Sequence, residues 1–161
     1  MKLREHLIIG VVSVIILTPH WGLWRALLFW GAEVLIDADH YWDYLWRSKF
    51  QDWSGWRMFR YYNRITEHMH DKNFFAISIL HTVEVFIGVY LLASYWNYNF
   101  FMTIFWGLVF HLILDMIYQL KLKCFFVRAY SIVEYLIRKR LMLNRGLNPD
   151  GFYKKMFELS K

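Results

Sequence analysis

Acidic residues and a histidine stand at the end of an apolar run, at Asp37, Asp39 and His40. On a helix, Asp37 and His40 share one face, and Glu33 lies one turn before Asp37. Carboxylate and imidazole groups are the usual ligands of zinc, manganese and iron. Because charge is costly inside a bilayer, we expect these side chains to point into a helix bundle and bind a metal ion there. The alternative is a helix cap in a soluble loop.

A second group with metal-ligand spacing lies further along the chain. His111 and Asp115 are four residues apart, which places them on one helix face, as in metalloenzyme helix motifs. His81 and Glu84 are also one turn apart, and His6 precedes the first apolar run. Each of the two pairs could instead be a buried hydrogen-bonded pair that holds helices together.

The composition indicates a membrane protein. Of 161 residues, 58% are hydrophobic and 21% are aromatic, whereas about half apolar is typical of a soluble domain. The net charge of +6 could suggest nucleic acid, but the Lys and Arg residues lie beside apolar runs. This placement favours anionic lipid headgroups and argues against a nucleic-acid partner. The single cysteine, Cys124, excludes an internal disulfide.

The apolar runs predict an all-α integral membrane bundle of about four transmembrane helices with interfacial amphipathic helices, in a single membrane domain over residues 1–161. The predicted transmembrane helices cover about residues 5–18, 23–47, 73–96 and 100–120. Aromatic and basic segments predict interfacial helices at about 50–64 and 125–143. A cleaved signal peptide is the alternative for the first segment, but no small-residue cleavage site follows it.

Basic residues predict the topology. They occur at the start of the chain, in residues 47–72 and after residue 120, whereas the connections 19–22 and 97–99 have none. We therefore expect a multi-pass protein of the inner (cytoplasmic) membrane with both termini cytoplasmic. With about 1.5 Å of rise per residue, this topology brings five polar residues of three helices to a similar depth: Asp37, His40, His81, His111 and Asp115.

An early histidine and three short motifs occur in one order: His6, Ile36-Asp37-Ala38-Asp39-His40, Asn63-Arg64-Ile65-Thr66-Glu67-His68 and His111-Leu112-Ile113-Leu114-Asp115. This order resembles the small bacterial membrane-bound metal-dependent hydrolases. Members of that family carry an early His, then Pro-Asp-x-Asp-His, His-Arg-Gly-x-x-His-Ser and a late His-x-x-x-Asp. The chain departs from the pattern at Ile36, which replaces the Pro, at Asn63, which replaces a His, and at Ile65, which replaces the Gly.

The resemblance implies a mono- or binuclear centre of a divalent metal, with zinc, manganese or iron as candidates. The ligands that it implies are His6, Asp37, Asp39, His40, His68, His111 and Asp115. Because Asn63 removes one imidazole, His70 or His81 could substitute for it, and His81 becomes a further candidate ligand. On a continuous helix, however, His68 and His81 would lie about 20 Å apart and could not bind one ion. Resemblance favours His68, depth in the membrane favours His81, and the sequence leaves the choice open.

The first hypothesis is a metal-dependent hydrolase that acts at the cytoplasmic interface. A bound ion would lower the pKa of a water molecule and offset charge on the attacked group. Arg57, Arg60 and Arg64 suit a phosphoester or pyrophosphate of a lipid headgroup, because Arg can bind phosphate through two hydrogen bonds. Glu67 or Glu84 could serve as the general base, and Arg64 is a third candidate catalytic residue.

The second hypothesis is a non-enzymatic membrane subunit. Its buried polar pairs would be structural, and its aromatic cytoplasmic face would bind a partner protein. Membrane lipids are expected partners under both hypotheses, and a homo-oligomer is a further alternative. A transporter is disfavoured, because residues 9–16 and 85–93 offer almost no polar side chains for a continuous path.

Overall fold

The computed structural model describes residues 3–161 and shows an all-α protein. Its helices are α1 (Leu3–Trp21), α2 (Leu23–Leu35), α3 (Ala38–Arg47), α4 (Gly55–Glu67), α5 (Val83–Tyr95), α6 (Tyr98–Lys121), α7 (Ile132–Asn144) and α8 (Pro149–Leu159). Two short strands, β1 (Ala76–Ile77) and β2 (Arg128–Ala129), pair in parallel. The prediction of an all-α fold is confirmed.

The described helices belong to two compact units. The first unit contains residues 3–38 and 80–123, and in it α1 packs on α2, α2 on α6, and α5 on α6. The second unit contains residues 39–79 and 124–161, and in it α4 packs on α8, and α7 on the β1–β2 pair. An aromatic core built around Tyr44, Tyr61 and Tyr153 stabilises the second unit.

Glycines set the spacing of helices in the first unit. Gly22 alone joins α1 to α2, and its φ of 79° is a left-handed conformation that glycine adopts without strain. The two helices therefore run antiparallel, so that the start of α1 lies beside the end of α2. Gly107 of α6 approaches α2 closely, since a Cβ atom there would lie 2.5 Å from the Phe29 carbonyl oxygen. This approach carries the next turn of α6, with His111, toward α2.

The prediction of one helix over residues 23–47 is wrong near the middle of this range. It is divided into α2 and α3 at Ile36 and Asp37, where the Asp37 N–H donates to the Val34 carbonyl oxygen at 3.3 Å. Asp disfavours helix interiors because its side chain competes for backbone N–H groups, and it is common just before a helix begins. The apolar pattern around it concealed this break.

The helix predicted over residues 73–96 is correct only from Val83. Residues 73–82 contain β1 and a 3₁₀ turn at Ile79–His81. Thr82 precedes α5 in an extended conformation, and Glu84 stands in its first turn. Both features favour a helix start at this point. An apolar run without a clear period does not separate helix from buried irregular chain, which explains the error.

The other predicted helices lie near observed ones. The segments 5–18 and 100–120 correspond to α1 and α6, and the segment 50–64 corresponds to α4. The segment 125–143 is helical only from Ile132, because a 3₁₀ turn and β2 precede α7. The sequence prediction lacks α8, whose N-cap is Asn148 and whose first turn contains Pro149.

Among residues 3–161, α6 is the one helix that is long and apolar enough to cross a membrane, with a mean hydropathy of 2.0 in its most apolar window. The neighbouring α5 is also apolar but has only 13 residues. One helix of this kind is consistent with membrane association and does not define the number of spans.

Candidate metal centre

Six ionisable side chains meet inside the first unit, and five different segments supply them. They are His6 of α1, Glu33 of α2, Asp37 of the turn after α2, His81 of the 3₁₀ turn before α5, and His111 and Asp115 of α6. All except Asp37 are buried, and Asp37 is half-buried. Because the segments are distant in sequence, the tertiary packing of the first unit brings these groups together.

Asp37, His81 and His111 form a triangle of ligand atoms. The Nε2 atoms of the two imidazoles are 3.1 Å apart, and Asp37 Oδ1 lies 3.4 Å from His111 Nε2 and 3.6 Å from His81 Nε2. Metal–ligand bonds of about 2.0–2.2 Å place two ligand atoms of a tetrahedral ion about 3.4 Å apart. The two imidazole planes are inclined by 66°, so that their in-plane lone pairs can converge. The triangle therefore fits three ligands of one ion, and Asp115 Oδ2 lies beside it, 3.7 Å from His111 Nε2 and 3.9 Å from His81 Nε2.

The hydrogen bond of His111 on its far side determines its tautomer. Its Nδ1 lies 2.7 Å from the carbonyl oxygen of Glu33, which can only accept a hydrogen bond. His111 therefore carries a hydrogen on Nδ1, and in the neutral ring the lone pair is on Nε2, toward Asp37 and His81. In metal-binding histidines generally, the ring nitrogen that does not bind the metal donates a hydrogen bond in this way.

His6 is held in the same way by the carboxylate of Glu33. With Glu33 ionised, His6 Nδ1 donates to Glu33 Oε1 at 2.7 Å, which leaves the lone pair on His6 Nε2. That atom is buried without a hydrogen-bond partner, and the Asp115 Oδ1 atom lies 3.4 Å from it. A bare imidazole nitrogen and a carboxylate oxygen are both acceptors, and they do not attract each other. A proton on His6 Nε2, or a cation between or beside the two groups, relieves this opposition.

His6 and His111 cannot bind the same ion, although their ligand atoms and one of Asp115 lie within 4.8 Å of one another. The two rings are stacked, with centroids 4.0 Å apart and planes inclined by only 11°. A metal ion lies close to the plane of the imidazole that binds it, and two nearly parallel planes do not meet. The centre thus has two halves: Asp37, His81 and His111 in one, and His6 with Asp115 Oδ1 in the other. The second oxygen of Asp115 lies next to the first half, 3.7 Å from His111 Nε2 and 3.9 Å from His81 Nε2.

The charges of the cluster also fit a cation. Glu33, Asp37 and Asp115 would carry three negative charges if all were ionised, and the imidazoles are positive only when protonated. Taking charges out of water is expensive unless opposite charge compensates them. A divalent ion supplies two positive charges at this point, with carboxylate and imidazole ligands of the kind that zinc, manganese and iron accept.

The structure brings together five of the eight predicted ligands, namely His6, Asp37, His81, His111 and Asp115. Of the two alternatives that the sequence left open, His81 belongs to the cluster. His68 ends α4 in the second unit, where its Nδ1 donates to the Arg64 carbonyl oxygen at 2.9 Å. The premise that one continuous helix carries His68 and His81 is wrong, because residues 68–82 are not helical apart from the 3₁₀ turn.

Asp39 and His40 belong to the second unit, at the start of α3. Asp39 Oδ1 lies 3.4 Å from His40 Nδ1, and the hydroxyl of Tyr62 donates to the His40 carbonyl oxygen at 2.9 Å. Within the described part of the chain, the two groups of three or more ligand atoms within 4.8 Å do not include Asp39, His40 or His68. Their role as ligands stays a prediction that follows from the resemblance.

The predicted substrate-binding and catalytic residues lie mostly on α4. Arg64 pairs with Glu67 at 2.9 Å on an exposed face, Arg57 pairs with Asp52, and Arg60 is exposed. Glu84 lies in the first turn of α5 in the first unit and is half-buried. The structure gives the positions of these residues, and their roles stay predictions.

Sequence reasoning left Glu33 out of the candidate site. The signal was present, because Glu33 is a lone carboxylate in an apolar run, one helical turn before Asp37. Its contacts with His6 and His111 depend on residues 27 and 78 positions away, and no local pattern contains them.

Comparison with known proteins adds no relative: no family description, no curated protein and no solved structure matches the chain. Function is therefore inferred from the residues of the centre themselves.

Proposed function

We propose that the protein is an integral membrane metal-dependent hydrolase, whose divalent ion is held by Asp37, His81 and His111. The observation that carries this proposal is the triangle of ligand atoms at 3.1, 3.4 and 3.6 Å. Two imidazoles and one carboxylate are the protein ligands of some catalytic zinc sites, which keep a further position for water or substrate. The resemblance to membrane-bound metal-dependent hydrolases points to the same chemistry.

The ion would supply a water of lowered pKa and would offset charge on the attacked group. The side chains around it have distinct tasks. Asp37, His81 and His111 hold the ion, and the buried walls of α1, α2 and α6 exclude other water. Asp115 lies beside the ligand triangle and next to His6, and a stoichiometry of two ions would place the second ion with these two residues. Glu84 and Glu67 remain the candidates for the general base.

The helices of the first unit are proposed to span the membrane, with both termini cytoplasmic. In addition to the long apolar α6, the apolar side chains of α1 and α5 are turned outward: Ile15 and Ile16 are 69% and 61% exposed, and Ile87 is 54% exposed. An exposed apolar surface of this extent is stable in lipid or against another protein. The basic residues near both ends of the chain favour the cytoplasmic orientation.

The second unit carries exposed side chains of the kinds that contact lipid headgroups. Trp46, Trp53 and Trp56 are exposed there, and Arg60 and Lys49 lie on the same unit. Tryptophan together with basic residues is typical of the membrane–water interface. We therefore propose a phosphoester or pyrophosphate of a lipid headgroup as the substrate class.

The non-enzymatic alternative is favoured by one observation. The His81 and His111 Nε2 atoms are 3.1 Å apart, so that a hydrogen on His81 could join the two rings without an ion. In that case the cluster would hold α2, α6 and the 3₁₀ turn in register, and the protein would act through a partner. Metal content distinguishes this case from the hydrolase.

The test uses detergent-purified full-length protein loaded with zinc, manganese or iron. We expect one equivalent of metal, or two if the His6–Asp115 half is also filled, in the parent and in His68→Ala. His81→Ala should lose the ion. Absence of metal in the loaded parent, or equal loading of His81→Ala and the parent, would contradict the proposal.

Activity is tested on vesicles that contain a lipid phosphomonoester or a lipid pyrophosphate, with release of inorganic phosphate as the measurement. The loaded parent should release phosphate, and the metal-free protein should not. Metal binding without release from either lipid would leave the centre in place and refute this substrate class.

A further inference from the structure

Glu33 contacts two imidazoles of the centre, one through its side chain and one through its backbone. Its Oε1 accepts a hydrogen bond from His6 Nδ1 at 2.7 Å, and its carbonyl oxygen accepts one from His111 Nδ1 at 2.7 Å. The residue is fully buried at 0% exposure, so that water does not compete for either contact. One residue thus holds the far nitrogen of both rings.

The Glu33 carbonyl is available to His111 because α2 ends at this point. In a continuous helix, the N–H of Asp37 would donate to the Glu33 carbonyl. Here the Asp37 N–H donates to the Val34 carbonyl oxygen instead. The last turn of a helix leaves carbonyl groups without helical donors, and His111 uses one of them. The break between α2 and α3 is therefore part of the arrangement that orients His111.

The two hydrogen bonds decide which nitrogen of each ring can bind a cation. A neutral imidazole binds a metal through the nitrogen that carries no hydrogen, and the partner of the other nitrogen selects the tautomer. The Glu33 carboxylate also lies 3.9 Å from His111 Nδ1, where its negative charge strengthens the attraction of the ring for a cation.

We propose that Glu33 is the positioning residue of the metal centre. Its backbone carbonyl orients His111, and its carboxylate orients His6, so that both Nε2 lone pairs face the site. The part that concerns metal affinity rests on the proposed function, whereas the part that concerns the two tautomers is independent of it.

The experiment compares Glu33→Leu, which removes both the acceptor and the charge of the side chain, with Glu33→Gln, which keeps an acceptor. Full-length protein in detergent is labelled with ¹⁵N histidine, and the signals of His6 and His111 are assigned with His6→Gln and His111→Gln. The hydrogen-bearing nitrogen of each ring is then read from the nitrogen shifts. Zinc affinity is measured on the same samples by competition with a chelator.

In the parent, both His6 and His111 should carry hydrogen on Nδ1. In Glu33→Leu, His6 should lose this preference, whereas His111 should retain it because its acceptor belongs to the backbone. The zinc affinity of the half that contains His6 should fall about 10–100-fold, the range that loss of such a partner produces, whereas the half formed by Asp37, His81 and His111 keeps the hydrogen bond of His111. Glu33→Gln should keep the His6 tautomer and lose less affinity, because its amide oxygen can accept.

A matched control is Phe29→Leu, which changes a buried side chain on the same helix, one turn before Glu33. It should reduce stability without changing the tautomers or the zinc affinity. The inference is overturned if His6 keeps its tautomer in Glu33→Leu, or if His111 of the parent carries hydrogen on Nε2. If the parent binds no zinc, the proposed function fails. The inference that Glu33 orients His6 is then still tested by the His6 tautomer in Glu33→Leu.

Discussion

Gly107→Ala tests whether the centre depends on the close approach of α2 and α6. A Cβ atom at this position would lie 2.5 Å from the Phe29 carbonyl oxygen, 3.0 Å from Ala32 Cβ and 3.3 Å from the Glu33 nitrogen. Ordinary contact begins at 3.4 Å, so the helices must separate by close to 1 Å at the tightest point. Two of the three neighbours are backbone atoms, which cannot rotate away as a side chain would.

We expect Gly107→Ala to reduce the free energy of unfolding by about 1–3 kcal/mol, the usual cost of overpacking a core. The same movement lengthens the hydrogen bond between the Glu33 carbonyl and His111 Nδ1, which is 2.7 Å in the structure. Zinc affinity should therefore fall together with stability.

The matched control is Gly31→Ala on α2, where an added Cβ atom would have no neighbour within 4 Å. In a helix interior, this change should stabilise the protein by about 0.5–1 kcal/mol. Both variants are compared with the parent by thermal unfolding in detergent and by zinc competition. If Gly107→Ala proves as stable as Gly31→Ala and binds zinc equally well, the close approach does not support the centre.

Three further predictions concern the ligands, the topology and the substrate. His111→Ala should lose metal and activity; if instead the variant combined with Asp115→Leu is as stable and as metal-loaded as the parent, α6 contributes no ligand. Reporter fusions should place both termini and the loop of residues 48–72 in the cytoplasm, and an external loop would refute the topology. Arg64→Ala should weaken substrate binding, because a guanidinium binds phosphate well. It should leave bound metal and stability nearly unchanged, because an exposed pair such as Arg64–Glu67 contributes at most about 1 kcal/mol; loss of metal in this variant would reveal a structural role.

Long helices were predictable where composition alone decides the structure. Between its first and last turns, α6 is apolar except at Thr103, His111 and Asp115, and the predicted bounds differ from the observed ones by one or two residues. The turn at Gly22 was also predictable, since Pro19 and Gly22 mark it in the sequence. Pro19 nevertheless lies inside α1, which continues to Trp21.

Helix breaks inside apolar sequence were not predictable from hydrophobicity. Asp37 interrupts the run from α2 to α3, and residues 73–82 bury apolar side chains such as Phe75 without forming a helix. In both places, contacts with residues distant in sequence satisfy the backbone groups that lack helical partners or bury the apolar side chains. A pattern of residue types along one segment does not contain these contacts.

The residue types of the site were predictable, whereas their grouping was only partly so. Depth along predicted helices placed Asp37, His81 and His111 together, and the structure does bring them together. The depth assigned to His81 assumed a helix that does not exist there. The observed position of His81 beside the other two residues depends instead on the 3₁₀ turn. The role of Glu33 required knowledge of which carbonyl group the end of α2 leaves for His111.

The most direct test of the central claim is X-ray absorption spectroscopy at the zinc edge of the loaded full-length protein. The account predicts two imidazole ligands and a carboxylate at metal–ligand distances of about 2.0–2.2 Å, and the loss of one imidazole signal or of the ion itself in His81→Ala. A spectrum without imidazole ligands in the parent, or one that is identical in the parent and His81→Ala, would contradict a metal centre at Asp37, His81 and His111.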